Sequence, residues 1–324
     1  MASRRRKKSS SSSMTGMFVE MAVIIGAVVL LSTLLWNQIR SGEKKPGSSL
    51  LGESTPAATQ GDPTLPGNTQ PEDTTPPEDV ELTAEQAIAK FAAENGLTVE
   101  DYKMGFDYYP ERLYDAYEKS PEARDFILNA PLEYGKEHAK DMSEFAGEMD
   151  VPPLFMQWDI RWGYTKYAYG LGGLTGCGPT CLSMVDYYYT QNPDHTPDYM
   201  MKFAEENGYV GTELDENGKH KGGTEWILFS QGGKKLGYNV KEVPLDKGTL
   251  LRYLKAGTPV ICHVGECVFT YSGHYILLIG YDQAKDRILV NDPNSVALSQ
   301  RGCTYEEIEK AIKNMWAFTP NQQN

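Results

Sequence analysis

The stretch from Ser41 to Asp79 sets the outer limit on what this chain can fold into. It carries seven prolines, is rich in Thr, Ser and Gly, and has no aromatic residue. Such a segment cannot bury enough apolar surface to offset its ordering entropy, so residues 37–80 are expected to form a solvated, fairly extended, disordered linker. The linker separates a short N-terminal piece from a remainder long enough for one or two globular units.

Charge is divided along the same line. Residues 1–45 hold eight Lys/Arg and two acids, whereas the rest holds 23 bases and 42 acids, a net +6 against −19. An acidic body of that kind argues against nucleic acid as a partner, because phosphate contacts need a basic face. The basic tail, 1–17, leads into FVEMAVIIGAVVLLSTLLW at 18–36, whose only charge is Glu20. At ~1.5 Å per helical residue this run spans ~28 Å, close to the hydrocarbon core of a bilayer. Trp36 stands where an interfacial aromatic belongs. Five bases precede the run against Arg40, Lys44 and Lys45 after it, which orients a single-pass helix with a cytoplasmic N-terminus and the rest of the chain outside. Neither rival pattern fits as well. STLLWNQIRSG lacks the A-x-A site of a cleaved signal, and Glu20 stands fourth after Gly16, where a pilin-like leader wants it fifth.

Beyond the linker, residues 81–149 read as a small helical subdomain of three or four short helices. Thr83-Ala84-Glu85-Gln86 is a capping box, and Ser120-Pro121 supplies an N-cap with proline in the first turn. From Val151 the texture changes. Helices are expected at 178–190, from Thr196-Pro197 to Gly208, at 225–236, from Asp246 to Gly257 and after the Thr304–Glu307 box. Strands are expected at 258–264, 274–281, 287–290 and 315–318. Helices first and strands later make residues 150–320 an α+β domain.

Within it, GLTGCGPTCLSMVD puts Cys177 between two glycines at the start of a helix. Thiolates are the reactive form of cysteine, and a helix N-terminus favours that charge. The flanking glycines would let a substrate backbone approach the sulfur. Cys181, one turn on, reads as a core residue. Of five histidines, His138, His195 and His220 read as solvated surface, and His263, beside Cys262 at a strand end, is a modest candidate base. His274 is the better one, since it opens the buried strand HYILLIGY. An imidazole needs an orienting partner, and the hairpin return of RILVNDP brings Asn291 and Asp292 back beside it; either could accept its ring N–H.

These residues resemble a known family. GCGPTCLSMV, GHYILLIGYD and LVNDPNS, with PLFMQWDIRWG upstream, are similar to the bacteriocin-leader-peptidase-like group of papain-fold cysteine peptidases, family thirty-nine and its relatives. The likeness runs from 150 to about 318. It implies a papain-like fold, with a Cys-bearing helix packed on an antiparallel sheet carrying His and Asp. It also implies Cys177 as nucleophile, His274 as base and acid, Asp292 as its orienter and Gln157 as oxyanion donor, working through a thioester acyl-enzyme without cofactor or metal. Founding members of that group are cytosolic domains of export transporters that cut after a double glycine. This sequence has no GxxxxGK[ST] loop, and its tether fits a bacterial surface enzyme acting on a peptide, a protein or a cell-wall peptide. A non-catalytic binding module and a wall amidase or acyltransferase are the competing functions. C-x3-C at 177/181 and C-x4-C at 262/267 lack zinc spacing, and Asp215–Gly218 reads as a turn more than a calcium loop. Cys181, Cys262, Cys267 and Cys303 would allow three disulfide pairings, none preferred.

Overall fold

A computed structural model describes residues 81–103, 111–214, 216–218, 220 and 223–321. The expected tail, membrane helix and linker, 1–80, lie outside the described residues. Among the described residues no helix is long and apolar enough to cross a membrane.

Three helices form the first layer: α1 (Ala84–Glu94), α2 (Glu111–Lys119) and α3 (Arg124–Glu133). The Thr83–Gln86 capping box forms as expected, with both reciprocal bonds. Ile88, Leu113 and Ile127 from the three helices share one cluster with Tyr164 and Leu171, so this layer shares its core with the larger domain. Gly173 marks the closeness of the fit, because a Cβ there would meet the Phe126 ring at 2.4 Å.

The central element is α4 (Cys177–Thr190), in which every residue from Gly178 to Tyr187 is buried. A helix covered on all sides is a core helix, and this one is packed between α5 (Pro197–Glu206) and a sheet. That sheet has the order β1-β5-β2-β3-β4, antiparallel throughout: β1 (Tyr238–Glu242), β5 (Ile312–Pro320), β2 (Val260–Val264), β3 (His274–Asp282) and β4 (Arg287–Asn291). Alternation sorts its faces. Ile261, Tyr275, Leu277, Trp316 and Phe318 join the α4 core, whereas Cys262, Val264, Ile276 and Leu278 pack under α6 (Lys247–Lys255). Each large apolar side chain fully buried here contributes about 1.5–3 kcal/mol.

The α+β class and the β3–β4 hairpin match expectation. Other elements do not. Strand β1 and the short helix α7 (Val296–Arg301) were not expected, and residues 228–232 of the expected 225–236 helix are a π-helix. β1 is an edge strand whose only inward side chains are Tyr238 and Val240, too brief an alternation to read. α7 owes its N-terminus partly to a distant side chain: Glu122 accepts from Ser295 Oγ (2.5 Å) and Val296 N (2.8 Å). Helix α8 (Tyr305–Ile308) carries the anticipated Thr304–Glu307 box.

Candidate active site

Cys177 is the first residue of α4, so its sulfur lies at the helix end where N–H groups are unsatisfied. Its side chain is half-buried in a cleft of about 1020 Å³ that also receives His274 and Gln157. The flanking glycines serve a different purpose from the one expected. A Cβ at Gly176 would meet Met201 at 2.3 Å, and one at Gly178 would meet Thr224 at 2.7 Å. They admit neighbouring side chains of the protein, because α4 is packed on all sides. Substrate access comes instead from the open cleft above the sulfur.

His274 heads β3 and is buried; its Nε2 meets Asp292 Oδ1 at 2.8 Å. That leaves Nδ1 unclaimed by Asp292, in the cleft that His274 shares with Cys177. Burial works against the imidazolium, yet the charge and hydrogen bond of Asp292, with a further contribution from Cys177, raise His274 to about 10. Burial likewise pushes the Cys177 thiol up. The His274 hydrogen bond and charge, with backbone N–H groups of Tyr275 and Gly178, outweigh it and hold the thiol below its ordinary value. The two shifts have one cause: a thiolate–imidazolium pair is favoured over the neutral pair.

Asp292 is fully buried, and its Oδ1 also accepts from Asn294 N at 2.8 Å. The choice between the two neighbours is thereby settled. Asn291 points elsewhere, donating to the carbonyls of Pro152 and Pro153, both at 2.9 Å. It ties the entry strap to the end of β4. The next turn of that strap delivers Gln157, whose backbone N donates to Pro293 O at 2.7 Å. The Gln157 side chain is buried; Nε2 donates one hydrogen to Gly173 O at 2.8 Å and has a second to give.

Four of the five histidines depart from their sequence readings or extend them. His195 is no solvated residue: its Nδ1 lies 2.6 Å from the buried carboxylate of Asp186, and its ring stacks on Tyr199. His138 is partly covered near Glu133, and His220 stacks on Tyr169, so neither is fully solvated. Each lies against an aromatic or acidic neighbour that local composition does not reveal. His263 lines the cleft. The five cysteines are free thiols, with Cys181 buried in the core as expected.

Sequence reasoning missed the contribution of the helical layer. Residues of α2 form a cleft wall, and Asn294, two positions from Asp292, donates to Ser120 Oγ at 3.0 Å. No local pattern signals a contact across 174 positions.

A family model described as the Peptidase_C39 like family matches residues 149–324, just over half of the chain. Among solved structures, the peptidase domain of Streptococcus ComA, a bifunctional ABC transporter of a quorum-sensing pathway, is similar at 19% identity. That match has a TM-score of 0.33 and covers 45% of this chain and 93% of that one. No curated protein matches.

Proposed function

The chain belongs to the Peptidase_C39-like family of cysteine peptidases, and we propose that it hydrolyses peptide bonds through a Cys177–His274–Asp292 mechanism. The observation that carries the reading is the 2.8 Å bond from His274 to Asp292 in the cleft that also holds Cys177.

In that reading the Cys177 thiolate adds to the scissile carbonyl, whose π electrons move onto oxygen. The Cys177 backbone N–H and the second Gln157 N–H donate to that oxyanion, a type of contact worth about 3–4 kcal/mol per donor. As the tetrahedral intermediate collapses, the C–N bond breaks and imidazolium His274 gives its proton to the departing amine. The product is a thioester. Neutral His274 then takes a proton from water as the hydroxyl oxygen attacks, and the thiolate leaves, restoring the pair. Asp292 keeps one ring tautomer and orientation throughout.

The wider reading puts this domain outside the cell on a single-pass helix at 18–36, above a linker, with a peptide, protein or cell-wall peptide as substrate. Charge asymmetry across 18–36 supports it. Membrane fractionation, with external protease releasing the domain from intact cells, tests it; a domain protected from external protease would overturn the orientation.

The mechanism is tested with full-length protein and an electrophilic peptide probe, alongside a peptide-hydrolysis assay. Wild type should label at Cys177 and cleave; Cys177→Ala should do neither, with rates at background. Equal labelling or cleavage by the variant would overturn the assignment.

A further inference from the structure

A second histidine stands in the same cleft, on the other side of the strand that carries His274. His263 lies opposite Tyr275 in the β2–β3 register, and their rings stack at 4.5 Å between centroids. Because Ile261, Tyr275 and Leu277 face α4, His263 belongs to that face too, the one toward Cys177. Asp292 and the Gln157 strap are tied to β4, on the opposite flank of β3.

The state of this imidazole is defined by its neighbours. Trp226 Nε1 donates to His263 Nδ1 at 2.8 Å. An indole can only donate, so Nδ1 is the acceptor and the ring proton sits on Nε2. Trp226 is itself 43% exposed, so burial does not force its N–H onto the histidine. Burial, then the nearby charges of His274 and Lys313, lower His263 to about 4, which leaves it neutral at ordinary pH. Its Nε2–H has no partner among the described residues. A glycine keeps it open: a Cβ at Gly273 would sit 3.4 Å from Nε2, and Gly273 lines the cleft as well.

We propose that His263 is a specificity-determining residue of this peptidase, its Nε2–H hydrogen-bonding a substrate side chain that presents an oxygen acceptor within two residues of the scissile bond. The subsite is one-sided chemically. The free polar function of the His263 ring is a donor, and it opens on the cleft that also holds Cys177. Asn, Gln, Asp and Glu present the matching acceptor. An apolar isostere such as Leu would leave the donor unpaired once water is excluded, which is how such sites discriminate.

The inference rests on the peptidase reading, and its test separates the two. Full-length wild type, His263→Leu, His263→Gln and Trp226→Phe are each given a peptide library varied at every position flanking the cleavage site. Wild type should favour acceptor-bearing side chains over Leu at one position by roughly tenfold or more in kcat/KM, and His263→Leu should cut this preference to within about twofold. His263→Gln, which keeps an acceptor for Trp226 and a donor for substrate, should retain a preference. Trp226→Phe, which frees the tautomer, should weaken it. An unchanged rate of Cys177 alkylation shows that each variant is folded at the site. A wild type without the preference, or a His263→Leu variant slowed equally on all peptides, would overturn the role of His263 alone. A wild type that cleaves nothing would overturn the peptidase reading and this inference with it.

Discussion

Two histidine–buried aspartate pairs occur among the described residues, and α4 connects them. His274–Asp292 stands at its N-terminal end and His195–Asp186 near its C-terminal end, about 13 Å along the helix from Cys177 at 1.5 Å per residue. Separation does not tell them apart: 2.8 Å for the first, 2.6 Å for the second, with each aspartate almost wholly buried. Their surroundings do. Asp186 also accepts from Tyr238 Oη at 2.6 Å and Thr190 Oγ1 at 3.3 Å, while Ser183 Oγ holds the His195 carbonyl at 2.7 Å. That network joins α4 to β1 and to the loop before α5. Asp292 Oδ2 has no protein hydrogen bond among the described residues, and its histidine faces a thiol in an open cleft. A saturated pair holds a fold together; an unsaturated one next to a nucleophile has capacity left for chemistry.

The comparison breaks most decisively at the first pair. Asp292→Ala should lower kcat/KM by roughly 10²- to 10⁴-fold, because the imidazole loses both its tautomer lock and its charge partner. Asp292→Asn should lose less, since a carboxamide oxygen can still accept from Nε2; a drop equal to that of the alanine variant would contradict the orienting role. Gln157→Ala comes next, with about a 10²- to 10³-fold loss in kcat and little change in KM. A loss confined to KM would assign Gln157 to ground-state binding.

Titration sharpens the contrast further. A thiolate–imidazolium pair persists above the lowered Cys177 value and below the His274 value of about 10. Iodoacetamide labelling of Cys177 should therefore stay fast as pH falls below the ordinary thiol value of about 8.5, and His274→Ala should move its midpoint upward. An unshifted midpoint in that variant would mean His274 does not tune the thiol. The smallest catalytic effect belongs to the second pair. His195→Ala should leave kcat/KM within about twofold, whereas Asp186→Ala should lower stability by roughly 1–3 kcal/mol, because the buried Tyr238 hydroxyl loses its acceptor. A catalytic defect in a well-folded His195→Ala protein would erase the distinction between the pairs.

Local signals made much of the fold legible. The Thr83–Gln86 and Thr304–Glu307 boxes, Pro197 in a first turn, and the apolar run from Tyr275 each involve residues a few positions apart. Cys177 at a helix start and His274 at a strand mouth are readable for the same reason. Asn291 and Asp292 could not be separated, because both end a strand and only the Pro152–Pro153 strap selects one. The glycines around Cys177 were legible as necessary but not for their cause, which lies in Met201 and Thr224.

What the sequence determined by itself was the inventory: an acidic α+β domain with a thiol at a helix terminus, an imidazole on a core strand, and a carboxamide and a carboxylate at the strand return. Tertiary structure decided the pairings: Asp292 rather than Asn291, Trp226 against His263, and Glu122 at the start of α7. The division has a physical origin. Helix ends and strand alternation depend on neighbours within a turn or two, whereas a side chain's hydrogen-bond partner depends on which distant segment packing brings within 3 Å.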